Sequence, residues 1–273
     1  MNAAESHNTQ KIRTAVCGAL GRMGREVVAA VLADPQLELV GVADFNAASS
    51  DLHLNIPIEA SLADMLTRAK PEVCVDFTHP SEVFANAEMM LSAGCRPVIG
   101  TTGLTPEQLS LLEQKAEALN LSVLVIPNFA LGAVLMMKFA EMASQYFEHA
   151  EIIELHHNQK ADAPSGTALI TAEKMEKARK MAGQPVFGLD NIQETHVQAG
   201  ARGTVREDSG LHIHSVRLPG LVAHQEVIFG APGQLLTLRH DSFDRKSFMP
   251  GVCLAVKKAL GIKGLIYGLD SLL

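Results

Sequence analysis

The sequence predicts an α/β chain in two parts, a parallel sheet flanked by helices and then a smaller mixed α/β (α+β) domain. Three observations predict it. Short apolar runs alternate with stretches of helical spacing from residue 12 to residue 126, a glycine-rich turn joins the first run to the first helical stretch, and near Gly132 the pattern changes to helices and strand-like runs separated by Pro-Gly turns.

The first run, residues 12–18 (IRTAVCG), reads as a strand that meets a glycine turn, after which Met23, Val27, Val28 and Val31 recur at helical spacing. A second strand, LELVGVAD (37–44), follows Asp34-Pro35. A helix around Leu62 to Ala69 leads into a third strand, EVCVDFT (72–78). Helix (Val83 to Ala93), strand (Arg96 to Gly100), helix (Pro106 to Leu119) and strand (Ser122 to Ile126) complete the alternation. Strands alternating with helices pair in parallel, with the helices on the sheet faces.

Beyond it the spacing predicts a helix from Leu131 to Phe147, a strand over 150–156, a polar loop and a helix from Ser165 to Ala182. Three strand-like runs follow, LHIHSVRL, LVAHQEVIFG and QLLTLRH. The turns Leu218-Pro219-Gly220 and Ala231-Pro232-Gly233 between them suit antiparallel neighbours. The tail from Ser247 reads as a helix plus a short helix that packs back on the first domain. The expected division is therefore 1–131 with 241–273 as one domain and 132–240 as the other.

Composition narrows the function. With 273 residues, 47% of them hydrophobic, the chain has material for packed cores, and its net charge of −7 without any block of like charge leaves no footprint for nucleic acid. The polar first ten residues lack the basic start and apolar centre of a secretory signal. The most membrane-like stretch, Leu121 to Ala140, is interrupted by Pro127, Asn128 and Lys138, so no membrane span is expected. Cys17, Cys74, Cys95 and Cys253 form no CxxC pair, which predicts free thiols, a reducing, cytoplasmic compartment and no metal.

The turn VCGALGRMG places Gly18, Gly21 and Gly24 directly between a strand and a helix. Glycines there permit positive φ and close approach of backbone to a pyrophosphate, while the N–H groups of the helix start attract anions. Asp44 ends the second strand twenty residues after Gly24, where a carboxylate accepts hydrogen bonds from an adenosine ribose. Together they predict a Rossmann-like, dinucleotide-binding first domain. Neither Phe45 nor Asn46 is cationic, so the usual partner of a 2′-phosphate is missing there. Lys11, Arg13 and Arg22 are the remaining candidates for such a contact. The strand ends VDFTHP (75–80) and VIGTTG (98–103) place Thr and Gly residues at the carboxyl edge of the sheet, where open α/β folds bind ligands.

The segment HHNQKADAPSGTA (156–168) concentrates two histidines, a lysine and a Ser-Gly-Thr helix start. His156 ends a strand, Lys160 lies in the loop, and Ser165 caps the next helix, so that Ser165, Gly166 and Thr167 offer a site for a carboxylate.

In this order, GxxGRMGR, DFTxP, GTTG, PNFxxG and HHxxKxDAPSGTA resemble the dihydrodipicolinate reductases, over residues 12 to about 245. The resemblance implies NADPH- or NADH-dependent reduction of 4-hydroxy-tetrahydrodipicolinate, a step of lysine and diaminopimelate biosynthesis. It implies that Gly18, Ala19, Leu20, Gly21, Arg22 and Met23 bind the pyrophosphate and Asp44 the ribose. Gly100, Thr101 and Thr102 with Ile126, Pro127, Asn128 and Phe129 would take the nicotinamide end. His157, Ser165, Gly166 and Thr167 would hold the dicarboxylate substrate, and His156 and Lys160 would carry the proton chemistry. It also implies a homotetramer built on the second domain's sheet. Phe45 stands where many members carry a basic residue and His79 where DFTRP has arginine, so the resemblance does not choose between the two cofactors. Arg245 resembles a family arginine near the domain hinge.

Other features read as structural. His212 and His214 share one strand face without a third metal ligand at matching spacing, and Met136, Met137, Met175 and Met181 read as core or interface filler. No GxSxG elbow surrounds Ser165. The rivals are another NAD(P)-dependent dehydrogenase, which HHNQK followed by PSGT disfavours, and a non-catalytic dinucleotide sensor, which would not need His156 and Lys160.

Overall fold

The computed structural model describes residues 10–49, 51–188, 195–206 and 209–273, which form two compact units that change over at Phe129/Ala130 and Ser247/Phe248. The first unit holds seven parallel strands: β1 (Ile12–Cys17), β2 (Leu37–Ala43), β3 (Ile58–Glu59), β4 (Val73–Asp76), β5 (Arg96–Ile99), β6 (Ser122–Val125) and β12 (Gly264–Tyr267). Their order is β12-β6-β5-β4-β1-β2-β3, so the winding reverses between β1 and β4, where open α/β sheets leave a crevice for ligands. Helices α1 (Arg22–Ala33), α2 (Leu62–Ala69), α3 (Val83–Ser92), α4 (Pro106–Leu119) and α7 (Met249–Ala259) make the connections.

The strands run in apolar blocks because helices cover the sheet. β4 and β6 are buried along their whole length, as is β1 from Thr14 onward. α1 turns Val27, Val28 and Val31 inward, and α4 begins with a capping box in which Thr105 and Gln108 satisfy each other's backbone N–H groups. Cys17, Cys74 and Cys95 pack in one apolar cluster with Met65 and Met90, and burial pushes their thiols upward, so they stay neutral.

The second unit contains α5 (Leu131–Ala143), β7 (His149–His156), α6 (Gly166–Met181), β8 (Thr204–Val205), β9 (His212–Arg217), β10 (Ala223–Ala231) and β11 (Gln234–Ser242), with strand order β11-β10-β7-β9-β8. β7 and β9 pair in parallel, and the other pairs among the described residues are antiparallel. Alternation splits the sheet: Ile152, Ile213, Val227 and Phe229 pack against Ala140, Ala168, Ala172 and Met175 of the two helices, while Glu151, Ile153 and Leu155 point to the face without helices. On that face His214 bonds Glu151 at 2.7 Å and stacks on His212, and Arg239 bridges Glu226 and Asp241.

Several expectations are corrected. β9 and β10 are not neighbours, because β7 lies between them. Leu218-Pro219-Gly220 instead carries the chain across the carboxyl end of β7, where the Leu218 N–H donates to the His156 carbonyl at 3.1 Å. A turn signal marks a reversal but does not say whether the two strands touch or straddle a third. At Pro232-Gly233 they do touch, with Ala231 opposite Gln234 and Gly233 supplying φ of +76°. The tail forms α7 as expected, but its last part becomes β12, pairing parallel with β6, before a final helical turn. Four residues are too few for a period to be read. The same holds for the two-residue strands β3 and β8. α5 stops at Ala143 rather than Phe147, and the Arg179 guanidinium takes the carbonyls of Ser144 and Phe147 beyond its end. Met136, Met137 and Met175 are buried, but Met181 is exposed. Among the described residues, no helix is long and apolar enough to cross a membrane.

Candidate active site

In the first unit the cradle grows from the end of β1. Gly18 has φ of +77°, and a Cβ added there would lie 2.7 Å from the Phe77 carbonyl oxygen; one added at Gly24 would lie 2.1 Å from the Gly18 carbonyl oxygen. Only glycine lets α1 start this close to the neighbouring loop. No side chain caps α1, so its first N–H groups are open to an anion. Asp44 stands beside the turn, one carboxylate oxygen accepting from the Leu20 N–H at 2.8 Å and the other from the Asn46 N–H at 2.9 Å.

A cavity of about 570 Å³ opens here, with Gly18, Leu20, Gly21, Asp44, Phe45 and Phe77 among its lining. Phe77 links it to the other candidates, because its ring lies where a Cβ on Gly100 would fall, 2.2 Å away, and its centroid is 5.6 Å from that of Phe129. Thr101 is buried behind it, donating to Asp76 at 3.3 Å, while Thr102 is exposed. Ala19 and Ile126 are buried under the turns, Met23 and Asn128 are half-buried, and Arg22 and Pro127 are exposed; none of the six lines the cavity. Arg13 is not available as a phosphate contact: it sits at the opposite end of β1, donating to the Ala69 carbonyl at 2.5 Å, and Lys11 lies at that same far edge.

Sequence reasoning missed Asp76 and Asn86. Asp76 ends β4 buried, accepting from the Thr78 N–H (2.8 Å) and hydroxyl (2.6 Å) and from Asn86 (3.0 Å). Asn86 and Thr78 line the cavity. The available signal was an asparagine inside the otherwise apolar start of α3.

In the second unit the cluster forms where β7 ends. His156 and Glu154, two apart on the strand, share the helix-covered face, and the His156 Nδ1 lies 2.5 Å from the Glu154 carboxylate. Arg217, opposite His156 on β9, grips both Glu154 oxygens at 2.7 and 2.8 Å and reaches the Asp162 carbonyl at 2.7 Å. The Ser165 N–H donates to Glu154 at 3.2 Å, and its hydroxyl accepts from the Ala168 N–H to cap α6. Nothing lies within 4 Å of a Cβ built at Gly166, so the helix start faces open space. Lys160 donates to the exposed Asp162 carboxylate at 2.7 and 2.8 Å. His157 is exposed and Thr167 half-buried.

Burial pushes the Glu154 carboxyl upward, but hydrogen bonds from Arg217, Ser215 and His156 outweigh it and hold the group below its ordinary range. Burial lowers His156, and the charges of Lys160 and Arg217 act the same way against the opposing pull of Glu154. The result is a neutral imidazole with one nitrogen committed, a lysine two residues from its carboxylate partner, and an open helix N-terminus. Side chains of these types can bind carboxylates and exchange protons. Glu154 and Arg217 escaped sequence reasoning. An acid inside the apolar run IIEL, on the face of His156, was the only signal for the first; Arg217 needs the strand pairing. Arg245 lies in an exposed helical turn. Among the described residues, no group of three or more His, Cys, Asp or Glu side chains is placed to hold a metal ion.

Comparison with known proteins agrees across both units. The family model for the dihydrodipicolinate reductase N-terminus matches residues 12–129, and that for the C-terminus matches residues 132–273. A 4-hydroxy-tetrahydrodipicolinate reductase of Cyanothece sp. is 49% identical, covering 97% of this chain and 99% of its own. Its counterpart from Listeria welshimeri is 50% identical over 96% of this chain and 100% of its own. The dipicolinate-bound dihydrodipicolinate reductase of Paenisporosarcina sp. TG-14 superposes with a TM-score of 0.87 at 43% identity, covering 97% of this chain and 100% of its own. At 12% identity and a TM-score of 0.55, the DAP dehydrogenase of C. glutamicum shares the fold alone, over 96% of this chain and 94% of its own. With a glycine cradle, an Asp44 anchor and the His156 cluster in matched segments that span nearly its whole length, the chain belongs to the dihydrodipicolinate reductase family.

Proposed function

We propose that the chain reduces 4-hydroxy-tetrahydrodipicolinate to tetrahydrodipicolinate with NADH or NADPH, as a step of lysine and diaminopimelate biosynthesis, holding the dinucleotide on its first unit and the substrate on its second. The observation that carries this reading is the convergence of His156, Lys160 and the open start of α6 at the end of β7. When bound, the nicotinamide supplies the hydride. Gly18 to Met23 hold the pyrophosphate, Asp44 the adenosine ribose, and Gly100 to Thr102 with Ile126 to Phe129 the nicotinamide end, in a cradle whose glycines leave no room for side chains.

Substrate carboxylates sit on the N–H groups of Gly166 and Thr167, with Ser165 and His157 beside them. Overall the 4-hydroxyl leaves as water, a hydride enters and one proton is taken up. Hydride addition to a conjugated imine pushes electron density onto the substrate; Lys160 stabilises that charge, and His156, through its uncommitted Nε2, moves the proton. The helix-free face of the second sheet is where a homotetramer would associate, and the enzyme would work in the cytoplasm.

Lys160→Ala is expected to lower turnover by roughly 10²-fold or more while leaving dinucleotide affinity unchanged, and His156→Ala to behave similarly. Steady-state loss of absorbance at 340 nm with freshly made substrate, beside dinucleotide titration, reads both. A Lys160→Ala enzyme with near-normal turnover overturns the assignment. Asp44→Ala should weaken NADH more than NADPH, because the lost carboxylate also repelled a 2′-phosphate; equal weakening of the two in titrations removes Asp44 from the ribose site.

A further inference from the structure

One buried side chain ties the proposed proton-transfer cluster together without itself being free to meet substrate. Glu154 is fully buried, and donors converge on both its oxygens: His156 Nδ1 and one Arg217 nitrogen on the first, the other Arg217 nitrogen and the Ser165 N–H on the second, with the Ser215 side chain bonding the carboxylate as well. Through Arg217 the same carboxylate reaches the Asp162 carbonyl, and Asp162 in turn holds Lys160. The strand end, the lysine loop and the start of α6 are thus joined at one point. Buried ion pairs add little net stability over apolar packing of the same volume, so stability alone gives no reason for an acid here.

We infer that Glu154 is a positioning residue: it holds His156 with its proton on Nδ1, leaving Nε2 as the nitrogen that exchanges a proton with substrate. The geometry decides the tautomer. Both Glu154 oxygens already accept from Arg217, so the carboxylate is ionised and can only accept, and the imidazole nitrogen facing it must donate. The charged groups acting on His156 are Glu154 on its own strand, Arg217 on β9 and Lys160 in the loop, while Ala223, opposite it on β10, adds no charge. With Arg217 balancing the carboxylate, the ring receives a strong acceptor without a full unpaired charge. It is thereby oriented while remaining largely neutral near pH 7.

The inference rests on His156 carrying a proton in the reaction, and it is tested so that the two can fail separately. Nitrogen-15 NMR of the wild-type enzyme, with histidine labelled and His156 assigned by its loss in His156→Ala, reads the tautomer directly and needs no turnover. We expect the Nδ1–H form above the imidazole pKa; an Nε2–H form overturns the role of Glu154 whatever His156 does. In Glu154→Gln the amide oxygen turns to Arg217 and the NH₂ to the ring, inverting the tautomer. Turnover should fall at least about 10-fold, with dinucleotide affinity unchanged, and the acidic limb of the kcat profile should move to lower pH as the carboxylate's upward pull on the imidazole is lost. A Glu154→Gln enzyme with wild-type turnover and profile also overturns it. By contrast, normal turnover in His156→Ala overturns the proton-carrying role of His156 and leaves the tautomer result standing.

Discussion

Asp76 in the first unit and Glu154 in the second are both buried acids near the carboxyl end of a strand, 1% and 0% exposed, yet their surroundings push them in opposite directions. Among the described residues, Asp76 accepts hydrogen bonds from the uncharged donors of Thr78, Asn86 and Thr101, and burial raises its carboxyl above the ordinary range. Glu154 meets a guanidinium head-on, and hydrogen bonds from Arg217, Ser215 and His156 overcome the same burial penalty and lower it. At Asp76 desolvation sets the direction, whereas at Glu154 hydrogen bonds, that of the Arg217 cation first, reverse it. The two acids also differ in what they stand beside. Asp76 stands behind the cavity at the glycine turn, bonded to two of its lining residues, Thr78 and Asn86. Glu154 stands against His156, 2.5 Å from its Nδ1.

Removing the cation is the severest way to break this contrast. Arg217→Met leaves Glu154 buried without its charge partner and should destabilise the second unit by about 3–5 kcal/mol, measured by denaturant unfolding or by hydrogen exchange along β7. A cost under about 1 kcal/mol would mean that the two acids are not distinguished by Arg217.

Acid sharpens the contrast. Because the folded pKa of Glu154 is depressed, its contribution is complete above the ordinary value of 4.5 and is lost as pH falls below it toward the folded value. Asp76 has the reverse sign. Its folded pKa lies above the ordinary 3.8, so the ionised form costs stability, which recovers as pH falls through the folded value. Native-state hydrogen exchange from about pH 6 to about pH 3 should show protection along β7 falling at the acid end while that of β4 holds. Parallel loss in both strands contradicts the assignment.

The smallest effect belongs to Asp76→Asn. The amide keeps an acceptor oxygen for Thr78 and no longer bears the cost of a buried charge, so the first unit should change by no more than about 1 kcal/mol, the scale of one neutral hydrogen bond. A loss of several kcal/mol by thermal or denaturant unfolding would show an ionised, essential carboxylate there.

How much was legible varies with the range of the interaction. α4 was readable to the residue over Pro106 to Leu119, because Thr105, Pro106 and Gln108 write its start locally and Asn120, in the left-handed region, its end. The Ser165 cap and the glycine turn were readable for the same reason. β12 was not, because nothing in Gly264 to Tyr267 says that it will pair with β6, more than a hundred residues earlier. Nor was the place of β7 between β9 and β10.

The candidate site divides the same way. His156, Lys160 and Ser165 stand within ten residues of one another, and their types and spacing are enough to suggest proton transfer and anion binding. Glu154 and Arg217, 63 residues apart, came together only through the parallel pairing of β7 with β9. By itself the sequence determined the fold class, the glycine cradle and the chemistry-bearing segment, since periodicity, turn chemistry and capping act within a few residues of chain. Which strands became neighbours, which buried acid gained a cation, and hence which nitrogen of His156 carries its proton, were decided by tertiary packing. Those outcomes depend on contacts whose partners no local pattern records.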